Sequence, residues 1–265
     1  MQLANQIRPI DCGSLLEYIG LSESQRSAAL GDDVICASTV RFDSPLRPQK
    51  NVFCVGRNYL DHALEGARAS GRQLKLPSVP TFFTKAPTSI VGPDATVALS
   101  SQVSREYDWE GELAVIIGKR VRDVSEDMAL ESVFGYSCLN DITARDLQRA
   151  HLQWFKGKSL DNTCPLGPCI VGTDEIADPQ TLRVTLRVNG VQKQNASTAT
   201  MIFPVARIIA ELSKGLTLDP GDIIATGTPE GVGFARTPPE FLHDRDLVEV
   251  EIKPIGVLRN EVIIS

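Results

Sequence analysis

Trp109-Glu110-Gly111-Glu112-Leu113-Ala114-Val115-Ile116-Ile117 reads as a strand with two carboxylates on one face. Successive strand side chains point to opposite faces, so Glu110 and Glu112 align with Ala114 and Ile116. Two carboxylates on an apolar strand repel each other unless protonated or bridged by a cation. A hard divalent ion is the natural bridge. Mg²⁺ takes oxygen ligands and keeps several waters, which leaves positions open for a substrate. A third carboxylate, Asp141, follows the apolar stretch 133–139. A solvated edge strand, where charge discourages aggregation, would also carry such glutamates. The segment alone leaves both readings open.

On either side of this segment strand signals dominate. Alternating or β-rich runs fall at 52–55, 81–84, 96–99, 134–139, 169–172, 182–188, 223–226 and 247–252. Asn189-Gly190, between the runs 182–188 and 191–195, predicts a two-residue hairpin. Helical patterns are fewer, at 125–131, 144–151 and 203–213. Strands with scattered short helices, and without βα alternation, predict an α+β or mostly-β roll. A helix over 14–30 and a strand over 34–42, ended by Pro45 and Pro48, predict a small N-terminal extension over 1–47. The main domain is expected over 48–265.

At 265 residues the chain can bury a sizeable core, and 42% hydrophobic with 23% charged residues is ordinary for a globular protein. The net charge of −6 argues against nucleic acid as a partner. Arg145, Arg149, Lys156 and Lys158 could instead receive a small anion. No apolar run reaches the ~18 residues of a membrane span, and the N-terminus lacks a secretory pattern. The expectation is a cytoplasmic protein without a membrane partner. Six cysteines, with no CxxC pair, are expected as reduced, buried thiols.

Four further segments carry chemistry. His62 and Glu65, three residues apart, share a face of a helical turn. A carboxylate orients an imidazole and raises its basicity, as a general base acting on water requires. Residues 66–76 are polar, basic and glycine-containing, as a mobile lid would be. Asp141, Arg145 and Gln148 are predicted on one helical face, offering a metal ligand, a carboxylate clamp and an amide donor. Lys158 lies beside Trp154 and Phe155, which could bury its stem and leave its cation to stabilise an enolate. Gly157-Lys158-Ser159 is not a phosphate loop, because the first glycine of that motif would fall at Leu152. Finally, 226–233 closes a strand with a glycine-rich loop whose amides could cradle an anion. Each has a purely structural alternative: a surface hydrogen bond, a capped helix, a surface lysine, a turn. The chain has no G-x-S-x-G, so nothing supports a serine nucleophile.

Six segments in order, GRNYLDHALEG (56–66), PTFFTKAPTSIVGP (80–93), EYDWEGELAVIIG (106–118), NDITARDLQ (140–148), GKSLDNTCPLGP (157–168) and LDPGDIIATGTPEGVG (218–233), resemble the fumarylacetoacetate hydrolase superfamily. The absence of a large N-terminal SH3-like domain places the likeness with its short acylpyruvase and oxaloacetate decarboxylase-like branch. The resemblance implies a mixed β-roll with flanking helices, assembled as a homodimer. It implies a Mg²⁺ or Mn²⁺ site on Glu110, Glu112 and Asp141, and a His62–Glu65 dyad on a closing lid. It further implies enolate stabilisation by Lys158, and substrate binding by Arg145, Gln148, Gly227 and Thr228.

The expected activity is hydrolysis of a C–C bond in acylpyruvate-type 2-oxo acids through an enolate at the metal, within aromatic catabolism. The alternative is an oxaloacetate-type decarboxylase or a 2-oxo acid tautomerase or isomerase on the same scaffold. A non-catalytic metal-binding scaffold is the rival class, and the joint presence of ligands, dyad and lysine argues against it.

Overall fold

The computed structural model describes residues 6–69, 71, 73 and 76–265. Two sheets dominate. The larger has seven strands in the order Thr81–Lys85, Val52–Gly56, Ile223–Ala225, Gly111–Ile117, Val133–Asn140, Cys164–Gly172 and Ile90–Val91. The second has five: Val191–Ser197, Arg183–Val188, Leu247–Ile252, Gly256–Ile264 and Val97–Leu99. Most neighbours are antiparallel. The exceptions are Ile223–Ala225 beside Val52–Gly56, Cys164–Gly172 beside Ile90–Val91, and Gly256–Ile264 beside Val97–Leu99. With few and short helices, this is the α+β roll expected from sequence.

Gly111–Ile117 lies at the middle of the larger sheet and is buried along its whole length. Leu113, Val115 and Ile117 point into the main core with Val184, Leu186 and Val250 of the second sheet. Ala114 and Ile116 point the other way, onto a smaller core with Cys54, Leu166 and Ile223. Ile19 and Leu46, from the N-terminal residues, join that smaller core. The predicted hairpin forms, with Val188 opposite Val191. Asn189 and Gly190 have φ of 52° and 75°, the paired left-handed conformations that a tight hairpin of this hand needs.

Several predicted elements are shorter than expected. The helix over 14–30 is two helices, Leu15–Gly20 and Glu23–Ala28. Ser22 starts the second by accepting from the Gln25 amide, while the Gln25 side chain accepts from the Ser22 amide, a capping box that divides the run. Over 34–42 only Ile35–Cys36 is strand, followed by a 3₁₀ turn at Ala37–Thr39. Over 125–131 there is a 3₁₀ turn, Ala129–Ser132, in place of a helix. Cys54, Cys138 and Cys164 are buried as expected, whereas Cys36 is exposed; all six thiols are free. Of the lid predicted over 66–76, residues 70, 72, 74 and 75 lie outside the described residues. Among the described residues no helix is long and apolar enough to cross a membrane.

Candidate active site

Strand pairing assembles the carboxylate cluster. Gly111 faces Asn140 and Glu112 faces Leu139 across the antiparallel ladder. The Glu110 amide donates to Asn140 Oδ1 at 3.0 Å, and the Asp141 amide donates to the Glu110 carbonyl at 2.8 Å. One carboxylate oxygen each from Glu110, Glu112 and Asp141 then lies within 4.8 Å of the others. Their exposures are 5%, 1% and 0%, so these are not charges on a solvated edge. Asp141 stands between strand and helix as expected, but off the helical face it was expected to share. Asp141 follows the strand Val133–Asn140, and the helix begins only at Arg145. Arg145 and Gln148 do share a turn, with Arg145 Nη1 donating to Gln148 Oε1 at 3.1 Å.

Three buried cations answer these carboxylates and a fourth, Asp108. Lys158 Nζ lies 2.6 Å from both Glu110 Oε2 and Asp141 Oδ2. Arg145 Nη2 bridges Glu110 Oε1 at 2.6 Å and Asp108 Oδ2 at 2.8 Å. Behind them Lys85 Nζ lies 2.8 Å from Asp141 Oδ1 and donates to the carbonyls of Ile142 and Lys158. Sequence reasoning assigned Lys85 and Asp108 no role. The available signal was a lysine ending the otherwise uncharged run 80–84, and an aspartate one residue ahead of Trp109.

The environments of the two glutamates diverge. Burial disfavours charge on Glu110, but Lys158 and Arg145 outweigh it and hold its carboxyl down at about 2. Burial also pushes Glu112 up, and there the Asp141 and Glu110 carboxylates add to the effect. Lys158 and the Gly227 amide, 2.7 Å from Glu112 Oε2, offset only part of it, so Glu112 stays well above the usual carboxylate range. On Lys158 burial opposes the charge, and Asp141 and Glu110 reverse that, leaving it raised.

Three carboxylates form a hard oxygen donor set, which fits Mg²⁺ or Mn²⁺ and not a thiophilic metal. Of the three carboxylates, Glu112 is the one short of positive charge. Its raised value means that the folded protein holds its proton more tightly than the unfolded chain. Stability from this group is therefore present at low pH and falls as pH rises above the ordinary value of about 4.3. Glu112→Gln removes that penalty. In metal-free buffer at pH 7.5 the variant should melt about 2–4 °C higher, the shift that ~1 kcal/mol gives a domain of this size. Added Mg²⁺ should raise the wild-type melting temperature and leave the variant unmoved. Equal stabilisation of both proteins by Mg²⁺ would remove Glu112 from the ligand set.

A cavity of about 640 Å³ opens over this floor, lined among others by His62, Glu110, Glu112, Gln148, Lys158 and Thr228. His62 and Glu65 stand on the helix Leu60–Ala69, with Nδ1 2.9 Å from Glu65 Oε1. Glu65 Oε2 accepts from the Gly231 amide at 2.9 Å, so the carboxylate is fixed from both sides. An acceptor on Nδ1 leaves Nε2 as the ring nitrogen free to take a proton. Thr228, which also lines the cavity, donates from Oγ1 to the Gly111 carbonyl at 3.0 Å and accepts from Gln194 Nε2 at 2.8 Å. Gly227 adopts φ of 101°, and a Cβ there would lie 2.7 Å from that of Asn58. Glycine is what lets its amide turn onto Glu112. All ten sequence-predicted site residues thus gather around one cavity, either lining it or bonded to a residue that does.

The family profile described as "Fumarylacetoacetate (FAA) hydrolase C-terminal" matches residues 51–263. The chain belongs to the fumarylacetoacetate hydrolase family. It is 47% identical over 234 residues to the oxaloacetate tautomerase YisK of Bacillus subtilis (strain 168), covering 88% of this chain and 76% of that protein. Among solved structures it is similar to a fumarylacetoacetate hydrolase of Exiguobacterium antarcticum, with TM-score 0.84, 44% identity, and 97% and 90% of the two chains covered. A 2-hydroxyhepta-2,4-diene-1,7-dioate isomerase of Mycobacterium marinum superposes with TM-score 0.77 and 36% identity, over 89% of this chain and 82% of that one. The protein is an enzyme of this family. The tautomerase and isomerase relatives fit the alternative activity read from sequence better than they fit C–C hydrolysis.

Proposed function

We propose that this enzyme interconverts the keto and enol forms of a small 2-oxo diacid of the oxaloacetate class. The observation that carries the reading is a buried lysine and an oriented histidine lining one cavity. Enolisation needs two things from the protein: a positive charge for the oxygen that becomes an enolate, and a group that carries the proton. Lys158, kept cationic by Glu110 and Asp141, is the first. His62 is the second, with Nε2 taking a proton from the carbon next to the carbonyl and returning it to the same intermediate. Glu65 keeps the ring in the tautomer that can accept. A divalent Mg²⁺ or Mn²⁺ held by Glu110, Glu112 and Asp141 would supply Lewis-acid polarisation of the 2-oxo carbonyl. Gln148, presented by Arg145, and Thr228 would orient the substrate's oxygens. The names of the relatives support this choice over hydrolysis. So does economy, since no attacking water or leaving group is required.

The test is decay of enol-oxaloacetate under Mg²⁺, with NMR of the products. Faster ketonisation, with oxaloacetate conserved, is expected. Pyruvate and CO₂, or cleavage of an acylpyruvate without faster ketonisation, would overturn the reading. Within it, Glu65→Gln should slow ketonisation about tenfold or more with KM little changed, because the imidazole loses its tautomer control and not its place. An unaltered rate would remove the dyad from the reaction.

A further inference from the structure

Three arginines line the cavity, and two are already engaged. Arg145 is bound to Asp108 and Glu110, and Arg149 Nη2 lies 2.6 Å from Glu106. Arg57 makes no ion pair among the described residues and is exposed at the cavity rim. Its guanidinium stands over the Trp154 ring, 5.6 Å from the centroid. From there an aromatic wall runs to the floor. Trp154 meets Phe83 edge-on at 5.3 Å, and the Phe83 ring lies 5.0 Å from Lys158 Nζ. The wall thus has a buried cation at its foot and a solvated one at its top.

The backbone holds Arg57 in place at a cost. Its φ is 58°, a left-handed conformation in which the Cβ of an L-residue crowds the following carbonyl. The residues on both sides of it are closely held. A Cβ on Gly56 would collide with the Trp154 ring. Asn58 is fully buried, with Nδ2 donating to the carbonyls of Thr226 and Phe203 and Oδ1 accepting from the Phe203 amide. Such backbone strain persists where the surroundings over-determine a residue, and such places cluster at ligand clamps.

We infer that Arg57 receives the distal carboxylate of a dicarboxylic 2-oxo acid and sets the preference for diacids over monoacids, an inference that rests on the function proposed above. The floor holds the 2-oxo acid end, and Trp154 carries the guanidinium on a flat support from which it can fold down onto the far end. A planar fork binds a carboxylate through two parallel hydrogen bonds, which a lysine cannot reproduce.

Oxaloacetate and 2-oxobutyrate form a matched pair, differing by a carboxylate in place of a methyl group. With the Mg²⁺-loaded enzyme in D₂O, C3 proton–deuterium exchange by NMR reads enolisation of both acids, and calorimetry reads their binding. For Arg57→Leu, KM and Kd for oxaloacetate should rise about tenfold, the size of one solvated charge-assisted contact. Values for 2-oxobutyrate, and the affinity for oxalate as a probe of the floor, should stay unchanged. Arg57→Lys should recover only part of the loss. A wild type that does not prefer the diacid, or a variant that weakens both acids equally, overturns the role of Arg57. If neither acid exchanges but diacid binding still depends on Arg57, the inference stands and the tautomerase reading falls.

Discussion

Lys158→Met should reduce ketonisation of enol-oxaloacetate by about 10²–10³-fold at saturating Mg²⁺, the loss seen when one preorganised oxyanion partner is removed. Lys158 is 2% exposed and touches two carboxylates at 2.6 Å, so no water can replace its charge at the cavity floor. The loss should fall on kcat, because enolate charge develops only as the reaction proceeds. Lys158 is also a buried ion-pair partner, so its loss should lower the melting temperature in metal-free buffer. Circular dichroism at saturating Mg²⁺, where the ion offsets the unpaired carboxylates, should show the fold intact. Lys158→Arg keeps the charge but puts a planar fork where a compact ammonium bridges Glu110 and Asp141, and it should recover little. A kcat within threefold of wild type for the methionine variant would exclude Lys158 from enolate stabilisation.

Lys85→Met should be strongly destabilising. The ammonium is fully buried and is an ion-pair partner of Asp141 from the side away from the cavity. It also donates to the carbonyls of Ile142 and Lys158, tying the end of one strand to the helix Phe155–Lys158. Removing one partner of a buried pair leaves an uncompensated charge and costs about 3–5 kcal/mol. For a domain of this size that is a drop of about 10 °C in melting temperature. Asp141→Asn in the same chain should recover part of the stability while abolishing Mg²⁺ stabilisation. No recovery in the double variant would mean that Lys85 acts through its two carbonyls and not through Asp141.

The α+β roll was legible in the sequence, and so were the residues that gather at the candidate site, but not how they pair. Carboxylates, histidine and lysine draw attention wherever they fall, so Glu110, Glu112, Asp141, His62 and Lys158 stood out as candidates, each with a structural alternative, and the likeness of six ordered segments to one family joined them into one expected site. What spacing could not supply was pairing. Arg145 read as a clamp for substrate, yet its neighbours across the sheet, Asp108 and Glu110, occupy it. The Gly227 amide likewise read as an anion cradle, and the anion it meets is the protein's own Glu112. Such partners come from strands distant in sequence, which local reasoning does not join.

The strand Gly256–Ile264 was missed for a related reason. Its burial alternates cleanly, but Asn260 sits on the inner face and Val257 on the outer, which breaks the apolar pattern. Asn260 is satisfied there by the carbonyls of Gly92 and Ala95, again a distant segment. In the N-terminal residues the error ran the other way. The pattern over 14–30 was helical in composition, and Ser22 with its capping box divided it.

The strand Ile223–Ala225 sits between Val52–Gly56 and Gly111–Ile117, although it comes more than a hundred residues after either. During synthesis both older strands must wait with open edges until this late, three-residue piece emerges. Such non-local closure makes for slow folding, and unpaired edges meanwhile invite association between chains. The same late segment brings Gly227, whose amide fixes Glu112. A nascent chain therefore reaches its working arrangement of carboxylates only when the sheet is zipped shut around its middle.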